Sequence, residues 1–344
     1  MKRILIFRTD RLGDLILSLP VVEALKTALP EAEIDLLVAP AAAPLAGMQR
    51  HVSRVIPDNF QGFRGLRSLV RRLGAEPYDA AIHLYPRPAF ALASFLARIP
   101  VRLGTAYRYY SPLFHPRVPL HRKNMAVHER DLNLKFVEAL GIPRPDGVTA
   151  GLVVPERAAR EVRELLGREG IGETRGRFVV LHPGSGGSSL DWPGEHFATL
   201  GAGVMALGFP VVLTGTARDQ RTVDGVHAWM GRQAVNLCGR LDLEQLAALL
   251  AQASLVVSNS TGPLHLADAL GTRVIGLYSP FFYSSPRRWG PYSQPGNVLV
   301  PEGKACSRCR RGRCRVFNCM AEIPPGAVLE MATTLLGCDR AEGD

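Results

Sequence analysis

A chain of 344 residues is too long for one ordinary hydrophobic core and fits two domains of roughly 150 to 170 residues. Hydrophobic residues make up 47% and charged residues 21%, an ordinary soluble globular balance, and no apolar run reaches the ~18 residues of a membrane-spanning helix. The formal charge of +10 admits nucleic acid, an anionic membrane surface or an acidic substrate as partner, so the placement of the arginines matters more than their sum.

The start, Met1-Lys2-Arg3, runs into a short apolar stretch that meets Arg8 and Asp10 almost at once. It has no secretory h-region or cleavage site, so a cytoplasmic protein is expected. Residues 3–8 (RILIFR) read as a buried strand, followed by a short polar loop and a helical pattern over 14–29 that Pro20 should kink. Residues 32–38, 78–84 and 101–104 read as further strands, with helices over 89–98 and 128–140. Before the 78–84 strand, Arg64, Arg67, Arg71 and Arg72 recur at helical spacing among Leu66, Leu69, Val70 and Leu73, a basic face over an apolar one. Residues 141–155 are rich in Pro and Gly and read as an interdomain link. Beyond it, strands over 178–182, 210–214, 254–258 and 273–278 alternate with helices over 194–207, 219–230, 243–251 and 262–270. Strict alternation predicts an α/β protein, parallel sheets wrapped in helices, with two halves facing a cleft. The expected domains are 1–150, 151–325, and a helix and tail over 326–344 that packs back on the first domain.

In sheets of this kind ligands bind beyond the carboxyl ends of the strands. Three loops of the second half lie there. His182-Pro183-Gly184-Ser185-Gly186-Gly187-Ser188-Ser189 offers glycines for close approach and hydroxyls for phosphate, or is simply a flexible loop. It is neither a Walker loop nor a dinucleotide fingerprint, since the spacings fail. Gly215-Thr216-Ala217-Arg218-Asp219 places a carboxylate that could hold ribose hydroxyls or cap the next helix. Asn259-Ser260-Thr261-Gly262 precedes a helix whose free N–H groups favour an anion by roughly 0.3 to 1 kcal/mol, and His265 lies one turn in. In the first half, Thr9-Asp10-Arg11-Leu12-Gly13-Asp14 ends the first strand. Either Asp10 or Asp14 suits a general base or a helix N-cap.

These residues together resemble the heptosyltransferase family, glycosyltransferase family 9. The opening RTDRLGDL (8–15) with Pro20 and LPEA (29–32), the segment from His182 to Trp192-Pro193, and SNSTGPLHLADALG (258–271) carry the resemblance, in the right order along nearly the whole chain. Leu237-Cys238-Gly239 with residues 243–253 adds to it. The resemblance implies a GT-B fold of two Rossmann-like domains. It implies inverting transfer from a nucleotide-activated heptose, usually ADP-heptose, to the inner core of lipopolysaccharide, with no cofactor required for catalysis. It implies Asp14 as the general base. Ser185, Gly186, Ser260, Thr261, Gly262, Leu264 and His265 would line the donor site, with Asp219 as its nearest match to a ribose contact. His128 and Glu129 resemble a His-x-x-Glu-type segment of the first domain. Two departures stand out. Leu190 sits where many members carry Lys, and Ser260 where many carry Asp. Both bear on which sugar nucleotide is used.

Arg11, Arg64, Arg67 and Arg71 are the expected contacts for an acidic, lipopolysaccharide-type acceptor. The same basic face would allow peripheral contact with the inner membrane, or be only a solvated helix face. Cys306, Cys309, Cys314 and Cys319 cluster among Lys304, Arg308, Arg310, Arg311, Arg313 and Arg315, and four thiolates could hold a structural zinc ion. A nucleic-acid-binding protein using that segment as a zinc module is the alternative reading. The lack of interleaved aromatics there and the two-sheet body weigh against it, so no nucleic-acid partner is expected. A nicotinamide-type oxidoreductase lacks its Gly-x-Gly-x-x-Gly.

Overall fold

The computed structural model describes residues 1–122, 125–172, 177–187, 189–302 and 318–337. Its contacts divide the chain into Met1–Val153 and Val154–Asp344.

The first unit runs β1 (Arg3–Arg8), α1 (Leu12–Ile16), α2 (Leu19–Ala28), β2 (Glu33–Val38), α3 (Ala43–Gly47), β3 (Arg54–Pro57), α4 (Gly62–Gly74), β4 (Ala80–His83), α5 (Pro88–Leu96), β5 (Val101–Thr105), β6 (Arg117–Val118) and α6 (Glu129–Glu138). The six strands pair in the order β3-β2-β1-β4-β5-β6 and are all parallel. Ile4, Leu5, Ile6 and Phe7 are all buried, because helices cover both faces of a central parallel strand and leave no polar side to alternate with. The expected single helix over 14–29 is two. Pro20 has no N–H to offer the carbonyl of Ile16, where α1 ends, yet it fits the first turn of α2.

The second unit runs α7 (Glu156–Arg168), β7 (Val179–His182), α8 (Gly194–Ala206), β8 (Val211–Leu213), α9 (Gln220–Trp229), β9 (Val235–Asn236), α10 (Leu243–Gln252), β10 (Leu255–Asn259), α11 (Gly262–Ala269), β11 (Val274–Leu277), α12 (Pro286–Trp289), β12 (Val298–Leu299) and α13 (Pro325–Leu336). Its order, β12-β11-β10-β7-β8-β9, repeats that of the first unit when its strands are renumbered from one. Both sheets are thus doubly wound, and each has one point where the strand order reverses: between β1 and β4, and between β7 and β10.

The terminal helix packs against α8. Val328 and Ala332 of α13 sit in the same core as Leu200 and Val204 of α8. Gly203 makes room, since a Cβ there would stand 2.6 Å from Leu329 Cδ2. The apolar face of α13 therefore packs inside the second unit. Among the described residues, no helix is long and apolar enough to cross a membrane.

Candidate active site

At the reversal point of the first sheet, β1 ends in a buried cation. Arg8 is 1% exposed. A buried guanidinium costs several kcal/mol unless it is paired and hydrogen-bonded, and this one is surrounded by carboxylates. Its Nε lies 2.9 Å from Asp10 Oδ1, and its Nη2 lies 2.9 Å from Asp14 Oδ1 and 3.3 Å from Glu129 Oε1. Its Nη1 donates to the Leu84 carbonyl just beyond β4 at 3.1 Å. Arg122 Nη1 meets Glu129 Oε1 at 2.5 Å, and its Nη2 donates to Asn133 Oδ1 at 2.9 Å. Asn133 in turn donates to the Leu17 carbonyl and to Ser18 Oγ, both at 3.1 Å, while Ser18 Oγ donates to the Asp14 carbonyl at 2.7 Å. The loop after β1 is thus fastened to α6 from two directions.

Three carboxylates meet two guanidiniums in this cluster, and burial dominates the protonation of two of them. Burial pushes Asp10 up to about 7, with Arg8 opposing and Asp14 adding to the rise. Burial likewise raises Asp14, Arg8 opposes, and Glu129 adds to the rise. A carboxylate poised upward in this way is a stronger base than a solvated one. Arg11, the N-cap residue of α1, is exposed and forms no side-chain cap.

The reversal point of the second sheet is built from neutral groups. Asn259 closes it: its Nδ2 donates to the Pro183 carbonyl at 2.7 Å and its Oδ1 accepts from Trp192 N at 2.9 Å. The loops after β7 and β10 are therefore tied together. His182 Nδ1 bonds Thr214 Oγ1 at 2.9 Å, and burial pushes the imidazole down to about 4, so it is neutral at pH 7. Ser185 Oγ donates to the Ser189 carbonyl at 3.1 Å and accepts from Gly187 N at 3.2 Å. Gly186, at φ 55°, occupies the left-handed region that favours glycine.

Thr261 is the N-cap of α11 but makes no side-chain cap bond, because its hydroxyl pairs with Ser258 Oγ at 2.9 Å. Gly262, the first residue of the helix, is half-buried, and Pro263 has no N–H. The backbone N–H groups at this helix start are therefore not occupied by a cap. Ser260 is half-buried, its N–H donating to the Leu277 carbonyl at 3.1 Å, and its hydroxyl approaches Tyr278. His265 is buried on the first turn of α11.

Two expected donor residues take other parts. Leu264 is fully buried, and its Cδ2 would stand 3.0 Å from a Cβ on Gly276, so only its backbone remains to offer a ligand. Asp219 forms a capping box: its Oδ2 accepts from Thr216 N at 2.9 Å and from Thr216 Oγ1 at 2.6 Å. Its carboxyl also fills the space over Gly184, where a Cβ would lie 2.3 Å from Asp219 Cγ. The helix-cap alternative describes its geometry. Leu190 is half-buried against the apolar core of the second unit.

The basic helix is as drawn from the sequence. Leu69 and Leu73 of α4 are buried, while Arg64, Arg67, Arg71 and Arg72 are exposed. At its start opens a cavity of about 690 Å³, lined by Phe60, Phe63, Leu66, Phe90 and Arg87, the last held to Asp58 Oδ2 at 2.8 Å. Arg64, Arg67 and Arg71 do not line it. Of the cysteine set, Cys306, Cys309 and Cys314 lie outside the described residues, as does the basic run around them; Cys319 is buried.

Sequence reasoning missed Arg8 and Arg122 as site residues. The signal for Arg8 was present as a charge ending an otherwise buried strand. Arg122 carried none, since its partner Glu129 is reached only through the fold. Glu129 was noticed beside His128, whose Nδ1 accepts from Arg130 N at 3.2 Å as a helix cap.

Two doubly wound units with loops gathered at both reversal points make a GT-B fold. The profile of glycosyltransferase family 9 (heptosyltransferase) matches residues 66–319, and the chain belongs to that family. A lipooligosaccharide heptosyltransferase 2 of Haemophilus ducreyi is 27% identical, covering 98% of this chain and all of its own 100%. The glycosyl transferase family 9 structure from Veillonella parvula superposes with a TM-score of 0.84 at 23% identity, covering 98% of each chain. The Escherichia coli ADP-heptose lps heptosyltransferase II does so at 0.79 and 24% identity, covering 99% of this chain and 100% of its own. At these identities the two structures speak for the fold.

Proposed function

We propose that the protein transfers a heptose from ADP-heptose to an inner-core lipopolysaccharide sugar with inversion at the anomeric carbon, using Asp14 as general base. The observation that carries this is the Arg8-centred cluster at the reversal point of the first sheet, where Asp14 is held, half-buried and raised in pKa. The acceptor hydroxyl gives its proton to Asp14 as its oxygen bonds the anomeric carbon. As that bond forms, the bond from the anomeric carbon to the donor diphosphate breaks, and the nucleoside diphosphate leaves with the electron pair. The uncapped start of α11, with Thr261 and Gly262, suits the diphosphate through backbone dipoles. Ser185, Gly186, Ser260 and His265 complete the donor set in this reading. The likeness to a lipooligosaccharide heptosyltransferase of Haemophilus ducreyi and to the ADP-heptose lps heptosyltransferase II of Escherichia coli supports the donor and acceptor.

Arg11 and the exposed Arg64, Arg67 and Arg71 are assigned to the phosphorylated acceptor. The same face suits peripheral contact with the cytoplasmic side of the inner membrane. Catalysis needs no cofactor in this scheme. Structural zinc on Cys306, Cys309, Cys314 and Cys319 is a separate proposal that metal analysis of the purified protein decides.

Calorimetric titration with a panel of sugar nucleotides tests the donor. ADP-heptose is expected to bind more tightly than UDP- and GDP-sugars. Failure of every sugar nucleotide to bind, with tight binding of nucleic acid, would sink the reading.

A further inference from the structure

Asp14 does not stand alone. Its Oδ1 is committed to Arg8 Nη2, and among the described residues no donor is bonded to Oδ2, while the side chain remains 19% exposed. Arg8 is held in turn by Glu129, which is fully buried, and Glu129 by Arg122, which is 31% exposed. Glu129 Oε1 accepts from both guanidiniums, at 3.3 Å and 2.5 Å.

We propose that Glu129 and Arg122 are positioning residues for the transfer: through Arg8 they fix the rotamer of Asp14 so that Oδ2 is the oxygen left to receive the acceptor proton. The inference rests on Asp14 being the base. Removing either support lets Arg8 follow its remaining partners, and a small misplacement of a reacting group costs rate without costing substrate affinity. The two supports also act on Asp14 with opposite signs. The Glu129 charge raises its pKa and the Arg122 charge lowers it. The other charged groups facing Asp14 are Arg8 from β1 and Arg11 at the start of α1, with Asp10 on the far side of Arg8; Asn133 and Ser18 are neutral.

The test is the pH profile of kcat/KM for the full chain and its Glu129→Gln, Arg122→Gln, Arg122→Lys and Asp14→Asn variants. For Glu129→Gln, kcat should fall roughly 10- to 100-fold with both KM values nearly unchanged. Its acid limb should move to lower pH. Arg122→Gln should lower kcat less and move the acid limb to higher pH, and Arg122→Lys, which keeps the charge, should restore the limb. A merely structural role would not move the limbs in opposite directions. If Glu129→Gln does not fold, the pair of Arg122 variants decides alone. Limbs that stay put, or a kcat in Arg122→Gln equal to that of the parent, overturn the positioning role while leaving Asp14 as base. An Asp14→Asn variant that keeps its rate overturns both.

Discussion

The first sheet carries an ion cluster at each edge, and the two behave oppositely. At the amino ends, Arg54 meets Asp35 Oδ2 and Glu76 Oε1, each at 2.8 Å, and Arg3 meets Glu76 Oε2 at 2.6 Å. Tyr78 adds its hydroxyl to Asp35 at 2.5 Å. There the hydrogen bond from Arg54 holds Glu76 below the ordinary carboxylate range. At the carboxyl ends, burial pushes Asp10 and Asp14 up against the opposing charge of Arg8. A lowered carboxylate stabilises the fold; a raised one costs stability and stores basicity. The direction of the shift, rather than the presence of an ion pair, separates the stabilising edge from the reactive one.

The largest expected effect is on rate. Asp14→Asn should reduce transfer by roughly 10² to 10⁴, with donor affinity by calorimetry unchanged. Its melting temperature at pH 8 should not fall, because it removes a raised carboxylate; a fall there would merge the two edges. Next is Arg54→Met, which leaves Asp35 buried with one cation fewer. It should cost about 3 kcal/mol in denaturant unfolding and leave kcat alone. The pH dependences should also oppose. Glu76 ionises more readily folded than unfolded, so its contribution is present at neutral pH and lost as pH falls. Asp10 binds its proton more tightly folded, so its contribution is present in acid and fades as pH rises from 3.8 to about 7.

The smallest effect probes the second unit. Asp219→Ala should cost about 1 kcal/mol of stability through the lost cap. An unchanged nucleotide affinity would leave it a cap; a tenfold loss would return it to the ribose.

Much of this frame was legible because buried parallel strands announce themselves as apolar runs. Residues 3–8 and 178–182 were read within a residue of β1 and β7. The strands that escaped were short and at an edge, and the helix α7 (Glu156–Arg168) went unread. β6, β9 and β12 have two residues each, too few for any period, and β3 ends in Pro57, which reads as a breaker. The loops at the strand ends were legible through their glycines and hydroxyls. The Arg8 cluster was not, since Glu129 lies 121 positions away and only the fold brings it near. Asp219 was equally undecided in sequence, because a cap and a ribose contact ask for the same residue.

Asn259 sets a limit on how this protein can change. Its side chain must donate at one end and accept at the other, to Pro183 and Trp192. Aspartate cannot donate there, and leucine can do neither. The tie between the loops after β7 and β10 is thus fixed by chemistry. A substitution at Asn259 would loosen both loops at once.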